Sequence, residues 1–270
     1  MNVKKHQTWT ALRERIDELR DAGDEFLWRG QSNAAWKLES TIYRFFESQS
    51  VSQSDRRDRE SQAEQFFLDY LSKAPDVNID LTHRSQILML MQHYGCPTRM
   101  LDWSRSPYVA AYFAVQDQAE VGAIFAFNLT IYQSLVAEKV VLDDYDGGVL
   151  RVIPRRVFGH LDRDAITFPI PLIPDPITTR EFEQQTAFLV DMQLDKSLEK
   201  CFLGETGDYL WKFEFDRTMR PSISRDLLAM NIDGRHMFQG LDGVALRAKE
   251  YLFGEKEFGH TTGDPNFEPY

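Results

Sequence analysis

A short apolar run at residues 121–127 is the feature that most restricts how this chain can fold. Every residue in it is apolar or glycine, yet it falls far short of the ~20 residues that a helix needs to cross a bilayer. A run of this length is typical of a buried β-strand, which we predict over Val121–Leu129. The fold must therefore bury this strand beneath other elements.

The composition is that of a globular protein. The chain has 270 residues, of which 43% are hydrophobic and 13% aromatic. This length suits one large domain or two small ones. The formal net charge of −11 argues against a protein whose main task is to coat DNA, but it leaves room for a local basic groove.

Apolar periodicity and turn signals predict alternating helices and strands. We expect helices at 10–23 (capped by Thr10), 63–71, 84–94, 106–118, 178–185, 221–232 and 241–253. Strands are expected at 25–30, 121–129, 149–153, 186–192 and 211–215, with an extended segment at 168–176. Residues 48–59 fit either a loop or a frayed helix start.

This order predicts the α+β class, with a single domain whose helices pack around central strands. We divide the chain into an N-terminal helix at 1–24, a main domain at 25–253 and a surface tail at 254–270. The N-terminus has no apolar targeting segment, so we expect a cytoplasmic protein with no membrane partner.

Common signatures of metal and nucleotide sites are missing from the sequence. The six His residues are scattered, and Cys96 and Cys201 have no ligand neighbours at zinc spacing, so we expect no metal. The acidic pairs at 143–144 and 162/164 are typical of solvated turns. Arginines at 151, 155, 156 and 163 fit either a phosphate-facing patch or exposed, paired side chains.

Three segments place polar residues in apolar surroundings. The first is 26–32, where Arg29 ends an aromatic strand just before Gly30. An arginine there can project towards a ligand that approaches the backbone closely. The alternative is a structural salt bridge.

The second segment, 92–107, places one His, one Thr, two Arg, one Asp and two Ser in a single turn between apolar helices, at His93, Thr98, Arg99, Arg105, Asp102, Ser104 and Ser106. Such a turn needs partners for its polar groups. Arg99 and Asp102 either pair as a buried strut or face a ligand. Ser106-Pro107 starts a helix, and the amides at that end are free to bind an anion.

The third segment, 178–189, runs from polar residues directly into an apolar strand. Glu183, Gln184 or Gln185 at the mouth of this strand is placed to touch a bound sugar or amide. Helix capping and solvated surface are the alternative interpretation.

Together these segments resemble the FRG-domain family, which is named for a Phe-Arg-Gly motif. Trp28-Arg29-Gly30-Gln31 resembles the founding motif, and residues 92–113 resemble the longest family signature. Arg180, Gln184 and Phe188 resemble a third motif, with Thr186 where a Gly is usual. Residues 237–243 are similar to the family's C-terminal end, so the resemblance runs from about 25 to 253.

A more distant resemblance links the chain to ADP-ribosyltransferases. These enzymes carry Arg-Gly on their first strand, a Ser-Thr-Ser segment leading into a helix, and a Glu or Gln at a later strand mouth. Arg29-Gly30 matches the first element, and Asp102-Trp103-Ser104 resembles the second. The resemblance implies a split or mixed central sheet and NAD as the substrate.

The resemblance also implies roles for individual residues. The residues that it implies contact NAD are Arg29, Gly30, Gln31, Thr98, Arg99, Ser104, Ser106 and Tyr112. Arg29 would hold a phosphate or the adjacent ribose. Glu183 would stabilise the charge that develops on the sugar, whereas Gln184 in that place would only donate or accept hydrogen bonds. His93 and Asp102 are candidate bases for activating an acceptor.

The resemblance therefore implies an NAD-consuming enzyme that modifies a protein or a nucleic acid. Such domains often act as toxins or antiviral effectors, so a neutralising antitoxin or another defence protein is an expected partner. The alternative is a non-catalytic module that binds a nucleotide or a partner protein. A nuclease is less favoured because no metal-ligand cluster is visible.

Overall fold

A seven-stranded mixed sheet forms the centre of the protein, and helices cover both of its faces. The structure is a computed structural model that describes residues 1–71, 73, 84–116, 119–139, 166–174, 176 and 178–252. The strands in these ranges are β1 (Asn2–His6), β2 (Phe26–Gln31), β3 (Met100–Ser104), β4 (Val121–Asn128), β5 (Ile170–Leu172), β6 (Thr186–Val190) and β7 (Leu210–Asp216).

Ten helices are present in the same ranges. They are α1 (Trp9–Asp21), α2 (Thr41–Ser48), α3 (Gln53–Leu71), α4 (Arg84–His93), α5 (Pro107–Ala114), α6 (Leu129–Lys139), α7 (Thr179–Glu183), α8 (Arg220–Ala229), α9 (Gly234–Met237) and α10 (Gly240–Leu252). Short 3₁₀ helices lie at Leu198–Cys201, Thr206–Asp208 and Arg217–Met219. Among the described helices, none has the length and apolar character to cross a membrane.

The strand order is β1-β7-β4-β2-β3-β6-β5. β1 runs parallel to β7, and every other neighbouring pair is antiparallel. β2 pairs with β4 along its whole length, but it meets β3 at one residue pair only, Trp28 opposite Ser104. The two halves of the sheet therefore separate on one side of this pair.

The two faces of the sheet carry separate hydrophobic clusters because side chains alternate along each strand. On β2, Phe26 and Trp28 pack into the cluster that holds the apolar stripes of α1, α5 and α8. Leu27 belongs to the opposite cluster, together with residues of α4 and α6. The sheet is thus the middle of three layers.

The α+β class and the mixed sheet confirm the sequence-based prediction. β2, β4, β6, β7, α4 and α10 lie close to their predicted positions. The prediction missed β1, α2, α6 and α9, and it interpreted as part of a turn the residues that form β3. It also gave α1 the wrong cap, since Thr8 rather than Thr10 accepts from the first turn. The predicted start of α5 is confirmed, with Ser106 as the cap and Pro107 as the first residue, but the helix ends at Ala114 rather than near residue 118.

Helix α3 buries a polar face, and it covers only part of the apolar stripe that its spacing predicts at Ala63, Phe66, Phe67, Tyr70 and Leu71, since Phe67 packs against the core. Phe66 and Tyr70 are 64% and 58% exposed, whereas Arg56 and Glu60 are almost fully buried. The apolar spacing of Ile87, Leu88, Met91 and Tyr94 predicts that Tyr94 points inward from the C-terminal end of α4, but Tyr94 is also exposed. Apolar spacing therefore identified the elements correctly but assigned the wrong faces here, because buried ion pairs hold α3 in place.

Glu60 of α3 is paired with Arg99, which directly precedes β3. Arg99 Nε donates to Glu60 Oε1 at 2.6 Å, and Arg99 Nη1 donates to the carbonyl oxygen of Asp191 at 3.1 Å. The Asp191 side chain is fully buried and accepts from Ser40 Oγ and from the Gln193 amide. This polar cluster ties α3, β3 and the end of β6 together.

Several predicted features lie outside the described residues. They are the strand at 149–153, the acidic pairs at 143–144 and 162/164, the arginines at 151, 155, 156 and 163, and the tail at 254–270. Residues 1–24 hold both β1 and α1, and β1 joins the common sheet.

The buried Asp191 carboxyl should make stability depend on pH. Burial raises the pKa of Asp191 to about 7, whereas an unfolded Asp titrates near ~3.9. The native state therefore holds this proton to a higher pH than the unfolded chain, so its contribution to stability falls as the pH rises from about 4 to about 7. We expect Asp191→Asn to flatten that decline, by up to about 1.4 kcal/mol per pH unit.

Urea unfolding at several pH values across this window measures the effect. Asp21→Asn is the matched control, because Asp21 is exposed on the last turn of α1. Equal slopes in wild type and Asp191→Asn would contradict the prediction.

Candidate active site

A cavity of about 590 Å³ opens where β2 and β3 separate. Its walls come from these two strands, from β6, from α5, from the C-terminal end of α4, and from α2 and α7. This volume lies in the range of small-molecule sites. All three polar segments identified in the sequence contribute residues to it.

Arg29 on β2 crosses the gap in the sheet. Its Nη1 donates a hydrogen bond to the carbonyl oxygen of Asp102 on β3, and its Nε is buried without a partner among the described residues. Burial lowers the pKa of Arg29 to about 10, with the Asp102 carboxylate opposing this shift and Arg44 adding to it. The guanidinium thus stays charged at neutral pH while it lines the cavity.

Gly30 is required by helix packing. A Cβ at this position would lie 1.8 Å from the carbonyl oxygen of Ala110 and 2.7 Å from the amide nitrogen of Ala114. Both atoms belong to the backbone of α5, which cannot move without disturbing the face of the sheet. The expected ligand approach at Gly30 is therefore accompanied by a second constraint, the close contact of β2 with α5.

A chain of hydrogen bonds positions the Asp102 side chain. Thr98 Oγ1 donates to Gln92 Oε1, and Gln92 Nε2 donates to Asp102 Oδ1 at 2.5 Å. The Met100 amide donates to Thr98 Oγ1 at 3.3 Å. Asp102 itself is exposed and lines the cavity. The carboxylate is thus held from the protein side while it faces the open space.

His93, at the end of α4, adds a neutral ring to the cavity wall. Burial and the nearby Arg180 guanidinium lower the pKa of His93, and Glu181 opposes them. The imidazole is therefore uncharged at pH 7 and has a nitrogen able to accept a proton. Cys96 also lines the cavity, but burial raises the pKa of its thiol, which disfavours the nucleophilic thiolate.

Three guanidinium groups line the cavity, from Arg29, Arg44 and Arg180, against the two carboxylates of Asp102 and Glu181. Within the described ranges the Arg44 side chain is exposed and has no ion-pair partner. Arg180 lies over the ring of Phe238, with its guanidinium carbon 4.6 Å from the ring centre. The described lining therefore has one more cation than carboxylates, in a chain whose net charge is −11.

The cavity lining combines guanidinium groups with flat apolar side chains. Arginines suit the two negative charges of a pyrophosphate. The Trp36 and Phe113 side chains on the wall supply flat apolar surface for a ring. Gln31 Oε1 and Trp103 Nε1 belong to lining residues and are buried without partners among the described residues. Unsatisfied polar atoms next to a cavity are common where a ligand completes the network.

The third segment contributes an amide to the cavity. Gln184 lines the wall, and its Nε2 donates to the carbonyl oxygen of Met237 at 2.9 Å. Glu181 also lines the wall, but it is buried and closes a capping box with Thr178. Glu183 is exposed and lies outside the cavity lining. Gln185 has φ +46° and connects α7 to β6.

Ser104 joins the second and third segments. Its hydroxyl donates to the carbonyl oxygen of Gln184 at 2.8 Å and accepts from the Ser106 amide at 3.0 Å. Both hydrogen bonds brace the ends of β3 and β6 beside the cavity. Ser104 thus lines the site while its hydroxyl holds the protein backbone.

Four of the predicted binding residues lie away from the cavity lining. Thr98 is fully buried behind Gln92, and Ser106 caps α5 by accepting from the Val109 amide. The Tyr112 hydroxyl donates to Glu250. Arg99 forms a buried ion pair, which was one of the two alternatives predicted for it. Its partner is Glu60, however, and not Asp102.

Sequence reasoning missed four residues of the cavity lining, which are Trp36, Thr41, Arg44 and Met89. Trp36 and Arg44 are exposed and lie in or just before α2, between the first and second segments. Nothing in their local pattern distinguishes them from ordinary surface residues. Gln92 and Arg180 also line the cavity, and both lie inside the identified segments. The sequence signal that pointed to them was the presence of polar residues in apolar surroundings.

The comparisons with known proteins agree with part of this resemblance. A family model described as FRG domain matches residues 24–122, which supports the FRG part of the resemblance. The match includes β2, β3 and α5, and it ends before the third segment. No curated protein and no solved structure matches the chain.

Replacing Gly30 by Ala should destabilise the protein. The added methyl group would overlap the backbone of α5, so we expect a loss of about 3 kcal/mol in the free energy of unfolding. Urea denaturation measures it. Gly207→Ala is the matched control, because a Cβ there would have its nearest neighbour at 4.0 Å. Equal midpoints for the two variants would contradict the assigned role of Gly30.

Proposed function

We propose that this protein is an ADP-ribosyltransferase-like enzyme that uses NAD and modifies a macromolecule. The main support is the convergence of the three sequence segments on one cavity at the gap between β2 and β3. Arg29, Asp102 and Gln184 come from positions far apart in the sequence, yet all three line this space.

Each part of the cavity has a task in this proposal. Arg29 and Arg44 bind the pyrophosphate by charge-assisted hydrogen bonds. Trp36 and Phe113 offer apolar surface to the rings and exclude water. Bound NAD supplies the nicotinamide leaving group and the anomeric carbon at which transfer takes place. The Asp102 carboxylate and the neutral His93 ring are the groups available to accept a proton from an acceptor.

The acceptor is a macromolecule, either a protein or a nucleic acid. The lining residues Trp36 and Arg44 are exposed, so this side of the cavity is accessible to a large partner. From the resemblance to ADP-ribosyltransferases we place the activity in a toxin or an antiphage defence system, with an antitoxin or another defence protein as partner.

A second function is favoured by a specific observation. Glu183 lies off the cavity lining, and Glu181 is occupied as a helix cap, so the third segment offers the amide of Gln184 rather than an open carboxylate. A non-catalytic module that binds a nucleotide would need no carboxylate there. Both functions predict that the cavity binds a nucleotide. Only the enzyme predicts catalytic turnover, so turnover distinguishes them.

The distinguishing experiment combines turnover with binding. The purified chain is incubated with NAD labelled on its adenylate half and with cell extract, and released nicotinamide and labelled macromolecules are measured. Turnover supports the enzyme. Stabilisation by NAD or ADP-ribose in a thermal shift assay without turnover supports the binding module. A folded chain that does neither would rule out both functions.

Arg44→Gln tests the anion site without disturbing the fold. The Arg44 side chain is exposed and unpaired in the part of the chain that the structure describes, so its loss should not lower the melting temperature. We expect the affinity for NAD to fall about tenfold, as for a lost hydrogen bond between charged groups. Calorimetric titration measures this.

The matched control is Arg217→Gln. Arg217 is also exposed, and it pairs with the exposed Glu120 away from the cavity. Its replacement removes the same charge and should leave the affinity unchanged. An equal loss in both variants would mean that only the overall charge matters.

A further inference from the structure

The hydrogen bonds around Asp102 fix which group faces the cavity. Thr98 is fully buried, and within the described residues the only acceptor for its hydroxyl proton is Gln92 Oε1. The Gln92 amide is therefore oriented with Nε2 towards Asp102. Because an amide NH₂ can only donate, Asp102 Oδ1 must accept.

The second carboxylate oxygen of Asp102 is open. Among the described residues no hydrogen bond or ion pair reaches Oδ2, and the side chain is exposed on the cavity wall. By contrast, Glu181 is spent on a capping box, and Glu183 lies off the lining. Within this described part of the site, Asp102 is therefore the carboxylate that presents a free oxygen to a ligand.

We infer that Asp102 is the carboxylate that contacts the sugar, accepting a hydrogen bond from the ribose hydroxyl adjacent to the reacting carbon, and that Gln92 is its positioning residue. This inference rests on the proposed function. The resemblance had assigned the carboxylate that acts on the sugar to Glu183, just before β6. This inference assigns it instead to Asp102 on β3.

The position of Asp102 supports this role. Arg29 binds the carbonyl oxygen of the same residue, so the cation that would hold the phosphate and the carboxylate that would hold the sugar are fixed to one another. A carboxylate near the sugar also stabilises positive charge that develops there when the leaving group departs. Asp102 thus serves binding and charge stabilisation with one oxygen, which leaves the His93 ring as the group that accepts a proton from the acceptor.

The first test measures a ligand preference and needs no turnover. Titration calorimetry compares ADP-ribose with its analogue that lacks the 2-hydroxyl on the terminal ribose. We expect the wild type to prefer the hydroxylated ligand by about tenfold. Asp102→Asn keeps an oxygen for Gln92 and should fold, but the preference should fall to about threefold or less because the acceptor is no longer charged.

Gln92→Glu tests the positioning role. In its protonated form, the carboxyl group introduced at position 92 would accept from Thr98 and donate to Asp102, as the wild-type amide does, so the preference should survive at low pH. When that shared proton leaves, two carboxylates face each other and Asp102 is pushed away. We therefore expect the preference to fall with rising pH in this variant and to persist in the wild type.

Other charged groups near Asp102 affect both proteins equally, so the comparison with wild type isolates the pair. The charged and titratable groups of the described lining are Arg29 on β2, Arg44 on α2, His93 on α4, Cys96 just after α4, and Arg180 and Glu181 on α7. Asp21→Asn, far from the cavity on α1, is the control for loss of one carboxylate.

The outcomes separate this inference from the proposed function. If the wild type releases nicotinamide but Asp102→Asn keeps the full preference and rate, only the present inference fails. If Glu183→Gln abolishes the preference instead, the acidic role belongs to β6 and the inference is overturned. A Gln92→Glu variant whose preference does not change with pH removes the positioning role. If the wild type neither turns over NAD nor binds ADP-ribose, both proposals fall together.

Discussion

The fold depends on the very short pairing between strands β2 and β3. One residue pair, Trp28 opposite Ser104, joins two halves of a sheet that are otherwise well paired with their outer neighbours. Arg29 then bridges the gap from side chain to backbone. Where β2 and β3 separate, their backbone groups have no partner in the neighbouring strand and need other hydrogen bonds. The same gap opens the cavity, and polar groups of both strands line it.

Much of the architecture follows from local sequence signals. The apolar run at 121–127, the alternation of Trp211, Phe213 and Phe215, and the Ser106-Pro107 helix start each determined one element correctly. These signals are short-range, since each depends on a few neighbouring residues. β1 escaped prediction because its strand character comes from pairing with β7, almost the whole chain away.

The assignment of faces and partners was less predictable for a physical reason. On α3, the buried pair of Glu60 with Arg99 outweighs the preference of Phe66 and Tyr70 for the interior. A buried charge without a partner is far more costly than an exposed ring, and the sequence does not reveal which distant residue completes the pair. The same limit applies to the site: Arg29 and Asp102 were recognised within their segments, but Arg44 became visible only through the fold.

The boundaries of the family match gain a meaning from the sheet topology. The matched residues end at Gly122, the second residue of β4, so they contain β2 and β3 but neither the rest of β4 nor β6. A fragment cut at these boundaries would hold two strands joined at a single residue pair, each stripped of its long partner. Phe26 and Trp28 would lose much of the cluster that covers them. The family match thus marks a stretch of recognisable sequence, whereas the sheet that holds β2 and β3 is completed by strands outside it, with β4 on one side continuing to β7 and β6 on the other.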